Sequence, residues 1–421
     1  MRTWRWLGIV AALAVIAVVA PDATAQQCPK GKIRIYTSWP MQGAMIPEGT
    51  GMKNGVDMAM AEAGGVVAGF CIEVVNLDDA SPQTGKWDGA VEAENANKAV
   101  ADPLALVYIG TYNSGAAKVS IPINNRAHMA QITPANTYPG LTKKQGAAPG
   151  EPEIYRPLGF VNYFRPVPAD DIQGAVGAKW AKRLGAKKVF ILNDQELYGK
   201  GIADVFEATA KKIGLAVVAN EGIDWKQPDQ KPVLTKVRAS GADLVYMGGV
   251  IETGAQVIIR QMKEVGLVAP RVRFMGPDGL LEEELLKGAT CDVAMATEMR
   301  VTFAGLPFEK MKGVGAKTYE EYKKKYAKEP TAYALYAAEA ARVALDGIRR
   351  AAPTIEKAKD VTEKREAVRK AIATTKNFEG INGKWSFDEN GDVDYDTMSG
   401  FKVVKADTPI GCKFQFETIL E

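Results

Sequence analysis

The chain has 421 residues, 47% hydrophobic and 24% charged, enough apolar material for two or three packed domains and far from the composition of a disordered protein. Its net charge is +3, and the basic run Lys323, Lys324, Lys325 follows Glu320 and Glu321 on one helical face, so nucleic acid is excluded as a partner. Cysteines 28, 71, 291 and 412 and the single His128 are too scattered for metal-ligand spacing, so no metal and no cofactor is expected.

The N-terminus reads as an export signal. Arg2 and Arg5 precede an apolar run over 7–20, and Ala23-Thr24-Ala25 puts small residues where a signal peptidase reads them. Residues 1–25 are expected to be a signal peptide cut after Ala25, which lowers the net charge to +2 by removing Arg2, Arg5 and Asp22. The run is short for a membrane span, and Pro21 and Asp22 end it without a positive stop. Gln27 lacks the small side chain that lipid modification of Cys28 would want. The four cysteines then meet an oxidising compartment.

A first strand is predicted over 33–36, followed by a loop over 37–43 in which Trp39 is either a pocket wall or a packed aromatic. Met52, Val56, Ala59, Met60 and Ala63 share one face of a helix that Gly64-Gly65 ends. Strand 71–75, helix 87–100, strand 104–109, helix 116–124 and strand 130–132 continue the alternation. Strands and helices taking turns give a parallel sheet covered on both faces. Residues 141–168 lose all periodicity and read as a loop leaving the first domain. A second alternation follows, with helices over 172–184, 202–213, 233–239 and 254–265 and strands over 189–192, 215–219, 244–247 and 272–275. A strand over 293–301 would lead back, and helices over 319–326, 332–350 and 361–374 would pack on the first sheet. Asn390-Gly391 marks a hairpin, and strands over 401–405 and 414–419 would complete the second sheet.

The fold class expected is therefore α/β, with two doubly wound parallel-sheet lobes joined by a multi-strand hinge. Lobe 1 takes 26–166 and 299–384, and lobe 2 takes 167–298 and 385–421. Cys28 and Cys71 lie near the starts of strands in one lobe and Cys291 and Cys412 near strand starts in the other, so those pairings are expected among the three possible.

The ligand is expected at 109–137. The buried strand ending at Gly110 leads through Tyr112 and Asn113 to Ser114, which opens a helix. A serine there can cap the helix, and its hydroxyl, the free amides of the first turn and the helix dipole suit a carboxylate. A second strand end leads into Ala135, Asn136 and Thr137 beside the same crevice. Read alone, Ser114 is a common helix cap, Thr137 a loop threonine, Asp278 a turn residue in Pro277-Asp278-Gly279 and Tyr198 a loop aromatic.

The segments IGTYNSGA, ITPANTYPGLT, VFILNDQELYGKG, VYMGG and FMGPDG, in this order and spacing, resemble those of the periplasmic leucine/isoleucine/valine-binding proteins of ABC importers. The resemblance runs through essentially the whole mature chain and implies a type I solute-binding fold. It implies that Ser114 holds a ligand carboxylate, that the Ala135 carbonyl and Thr137 hydroxyl meet the ligand's ammonium and carboxylate, and that Tyr198 closes from the other lobe. It also implies that Asp278, where glutamate is usual, pairs the ammonium. Tyr112 and Asn113 stand where small or apolar pocket residues are usual. The resemblance implies a periplasmic, monomeric, non-enzymatic protein that closes on an amino acid, branched-chain or related, and delivers it to an ABC permease. An aromatic or other small carboxylate is the alternative ligand, and a sensor module a third reading. Hydrolase or transferase chemistry lacks a GxSxG elbow and a phosphate loop, and His128, at a strand start, reads as packed or surface-exposed.

Overall fold

In the computed structural model, which describes residues 28–421, two α/β lobes face each other across a cleft. The expected signal peptide lies outside the described residues. In lobe 1, strand β1 (Lys32–Trp39) leads to helix α1 (Ile46–Glu62), the short β2 (Val66–Val67) and β3 (Phe70–Asp78). Helix α2 (Gly89–Ala101), β4 (Ala105–Gly110), α3 (Ser114–Arg126), β5 (Ala130–Ile132) and β6 (Tyr163–Phe164) follow. The sheet order is β2-β3-β1-β4-β5-β6, parallel except for the β2-β3 hairpin. Every residue of β4 is buried, as a strand covered by helices on both faces must be.

Lobe 2 continues with α4 (Asp170–Arg183), β7 (Lys188–Asn193), α5 (Leu197–Lys212), β8 (Ala216–Gly222), α6 (Lys231–Ser240), β9 (Leu244–Gly248), α7 (Ala255–Glu264) and β10 (Arg273–Gly276). Next come α8 (Thr290–Ala296) and β11 (Arg300–Ala304). Helices α9 (Val314–Tyr326), α10 (Ala334–Ile355) and α11 (Val361–Ala373) then return to lobe 1, and β12 (Phe378–Gly380) pairs with β13 (Gly383–Trp385). The chain ends in lobe 2 with β14 (Met398–Lys405) and β15 (Cys412–Leu420), giving the order β15-β14-β11-β10-β9-β7-β8.

Three expectations fail here. The strand expected over 293–301 is split, because Thr290, Cys291, Val293 and Ala294 bury one face of a helical turn before Glu298, at φ +47°, reverses the chain into β11. The return to lobe 1 expected at 299 comes later for the same reason: β11 pairs with β10 and with β14 inside the second sheet. The loop expected over 37–43 is also shorter, since β1 runs on through Trp39.

The chain thus passes between lobes after Phe164, after Ala304 and before Met398, and the three passages are bonded to one another. The Arg165 amide donates to the Gly391 carbonyl (2.9 Å), and Gly305 donates to Thr397 (2.7 Å). The Arg165 guanidinium, 0% exposed, meets both oxygens of Asp392 at 2.9 and 3.0 Å and the Tyr138 carbonyl at 2.9 Å. A buried ion pair of this completeness fixes where the passages cross.

Helix α10 packs along α1 at close range. A methyl built on Gly55 would lie 2.0 Å from the Ala334 carbonyl, and one on Gly51 2.0 Å from the Thr331 hydroxyl, so both positions need glycine. That approach brings Glu48, in the first turn of α1, to the Tyr333 amide at 2.9 Å. Disulfides join Cys28 to Cys71 and Cys291 to Cys412, the expected pairs, although Cys291 lies in α8 and not at a strand start.

Candidate functional site

The lobe 1 wall is the turn between β4 and α3. Ser114 is the first residue of α3 and not its cap. Asn113 takes the cap position without a side-chain cap bond. The carbonyl of Asn113 accepts from Ala116 and Ala117 at 3.1 and 3.2 Å, which leaves the amides of Ser114 and Gly115 without a backbone carbonyl. The Ser114 hydroxyl accepts from the Tyr138 amide at 3.4 Å, a long bond that leaves its proton free. The helix start therefore offers donors and the positive end of a dipole to the cleft. Thr111 and Thr133 brace the turn, the first donating to the Asn113 carbonyl (2.8 Å) and the second to the Thr111 carbonyl (2.9 Å).

The lobe 2 wall is Asp278, just after β10. Its carboxylate is 3% exposed and accepts from Gln173 of α4 at 2.7 Å, from Tyr198 of α5 at 2.6 Å and, across the cleft, from the Tyr333 hydroxyl. Tyr198 also accepts from the Gly279 amide at 3.1 Å. All three partners of Asp278 are neutral. Burial pushes its carboxyl above the usual range while the three donors pull it back.

Tyr112, Asn113, Ser114, Ala135, Tyr198 and Asp278 line one cavity between the lobes, together with Val250, Gly279 and Tyr333. The structure thus brings together six of the nine residues singled out in the sequence. The other three stand apart from it. Asn136 has its amide engaged by protein, donating to the Tyr112 carbonyl (2.7 Å) and accepting from Tyr163 (2.8 Å), and so shapes the turn from behind. Trp39 is 1% exposed and donates its indole N–H to the Gly49 carbonyl at 3.1 Å, the packed aromatic of the two readings. Thr137 is fully buried with its hydroxyl against the Asp170 carboxylate, and the Asp170 amide donates to the Thr137 carbonyl at 2.9 Å.

Sequence reasoning missed Tyr333 and Gln173, and it missed the acidic character of the cleft. Glu48 from lobe 1 and Glu282 from lobe 2 face each other within hydrogen-bonding reach, and burial with the Glu48 charge pushes Glu282 well above the usual carboxyl range. Glu252 accepts from Asn113 across the cleft at 3.2 Å and is raised by burial to about 7. The cation at this end is Lys86, whose ammonium lies 3.2 Å from the Trp225 ring centroid and 3.6 Å from Glu196.

The model of a family described as periplasmic binding protein matches residues 32–407. An amino acid binding protein of Pseudomonas aeruginosa is 33% identical over 254 residues, 60% of this chain but only 62% of that relative. A leucine-, isoleucine-, valine-, threonine- and alanine-binding protein of the same organism is 29% identical over 367 residues, 86% of this chain and 87% of the relative. Among solved structures, a leucine binding protein, LivK, from Thermotoga maritima superposes with a TM-score of 0.75 at 25% identity, covering 92% of this chain and 98% of its own. A solute-binding protein from R. palustris in complex with 4-hydroxybenzoate has a TM-score of 0.74 at 18% identity over 92% and 96%, a likeness of fold.

Proposed function

The chain belongs to the periplasmic binding protein family, and we propose that it captures an amino acid by closure of its two lobes and hands it to an ABC permease, without chemistry of its own. One observation carries this reading. A helix start with free amides and the Ser114 hydroxyl on one lobe shares a cavity with the Asp278 carboxylate on the other. Donors on one wall and a buried anion on the other suit a zwitterion, whose carboxylate takes the first and whose ammonium takes the second. The relatives named for leucine, isoleucine and valine support the same ligand class. The protein works outside the cytoplasm as a monomer, after cleavage near Ala25.

A thermal-shift screen of amino acids and aromatic acids tests this, since a ligand held at 100 times its dissociation constant adds about 2.7 kcal/mol of stability. Small-angle scattering should then show a smaller radius of gyration with the hit than without it. No shift with any amino acid would sink the reading. The second reading, an aromatic carboxylate, is favoured by the rings of Tyr112, Tyr198 and Tyr333 in the cavity wall and by the 4-hydroxybenzoate complex of a fold relative.

A further inference from the structure

We propose that the ligand carries, beyond its amino-acid end, a second cationic group, an ammonium or guanidinium, received by Glu48, Glu252, Glu282 and the Tyr112 hydroxyl; this rests on the amino-acid reading above. The Tyr112 ring lines the cavity and stands edge-on to Tyr333 at 5.9 Å, and its hydroxyl is buried with no hydrogen-bond partner. Tyr112 is 5% exposed and Asn113, also on the cavity wall, 7%, and the side-chain amide oxygen of Asn113, Oδ1, is likewise unpartnered. Glu252 accepts from Asn113 at 3.2 Å and Glu48 from the Tyr333 amide at 2.9 Å, both residues of the cavity wall, and Glu282 faces Glu48, so the three carboxyl groups gather behind that wall.

Glu252 keeps a buried oxygen, Oε2, without a donor, and Oε2 of Glu48 and Oε1 of Glu282 are buried with only each other's carboxyl group and the Thr331 hydroxyl for company. Among the described residues no lysine or arginine forms an ion pair with any of them, and Lys86, whose charge acts on Glu252, is held by Trp225 and Glu196. The three glutamates, once ionised, and the Asn113 amide oxygen are acceptor-only, and the Tyr112 and Thr331 hydroxyls can accept as well. A branched aliphatic side chain would leave them all unsatisfied, whereas a group with three or more N–H donors would meet several at once. The glutamates come from both lobes, so they converge only on closure, and a ligand cation offsets the repulsion that closure creates.

The test is calorimetry at pH 7.5 with L-lysine, L-arginine and L-leucine on the purified chain and on Glu282→Gln and Tyr112→Phe. At least one basic amino acid should bind tenfold or more tighter than leucine. Glu282→Gln should weaken that amino acid at least tenfold and leave leucine within threefold. Should Glu282→Gln fail to fold, Tyr112→Phe, which keeps the ring, should still narrow the preference at least threefold. Leucine binding as tightly as lysine and arginine, or an unchanged preference in both variants, would overturn the second cation while leaving the amino-acid reading in place. Failure of lysine and arginine to bind would likewise overturn the second cation, whereas the amino-acid reading falls only if no amino acid of the thermal-shift screen binds.

Discussion

Asp278→Asn is the sharpest perturbation of the site, because it removes a charge while keeping shape. The native carboxylate is 3% exposed, is held by Gln173, Tyr198 and Tyr333, and has no cationic side chain paired with it among the described residues. A ligand ammonium would be its one full countercharge, and truncating one member of a buried charge pair typically costs about 2–5 kcal/mol. From that range must come the desolvation of the native carboxylate, which Asn avoids, offset by an amide N–H now turned toward one of three donors, about 1 kcal/mol either way. A net loss near 3 kcal/mol follows, roughly 150-fold in affinity for an amino acid. Calorimetry at pH 7.5 measures it directly. An amine-free acid such as 4-hydroxybenzoate should bind the variant as well as the native chain or better, and the ligand-free variant should melt no lower. An amino-acid affinity within threefold of native would refute the ammonium site.

Ser114→Ala removes a hydroxyl but leaves the amides of the α3 start, so it should cost about 1–3 kcal/mol of affinity for any carboxylate, amine or not; unchanged calorimetry would reduce Ser114 to a support for the Tyr138 amide. Arg165→Met takes away the close partner of the buried Asp392 and leaves it only Lys143, at 3.6 Å, as an ion-pair partner, so it should cost about 3 kcal/mol of stability in denaturant melts, with Asp392→Asn in the same chain recovering part of it. Burial raises Glu92, Glu252 and Glu339 to about 7 and Asp194 to about 6, so their protons favour the folded state. That contribution is complete below the ordinary carboxyl range and is lost as pH rises through 7. The ligand-free protein should therefore melt higher at pH 5.5 than at pH 8, and a flat or inverted curve would contradict the burial of these groups.

The sheets were legible because period-2 and period-3.6 patterns survive wherever one face is buried, as in β4 and α10. The segment 293–301 was not, because Val293, Ala294, Met295 and Ala296 fit either a buried strand or a short helix, and only packing decides between them. Ser114 was marked by a strand end that opens a helix, and Asp278 only by the resemblance that FMGPDG carries, since alone it reads as a turn residue. Tyr333, Glu48, Glu252 and Glu282 carry no such mark. Tyr333 lies 55 residues beyond Asp278, and its part in the site depends on how closely α10 approaches α1, which the glycines at 51 and 55 allow but do not announce. Glu48 looks like an ordinary acidic residue in a helix's first turn, and the chain just before α10, with Glu282 of the other lobe, makes it a buried one.

The Cys291–Cys412 bond closes a covalent ring of 121 residues' separation around everything the chain does between leaving lobe 2 and coming back to it. The outgoing strand β11 and the incoming strand β14 are neighbours in the second sheet, so α9, α10 and α11 are carried by lobe 1 on a noose whose knot lies in lobe 2. A protease that nicks the chain anywhere on that noose separates nothing. The fragments stay tethered, the helices that bear Tyr333 remain at high effective concentration beside α1, and a clipped protein can still dock them. Reduction removes that insurance while leaving the three passages between lobes as they were, so damage tolerance and lobe motion answer to different bonds.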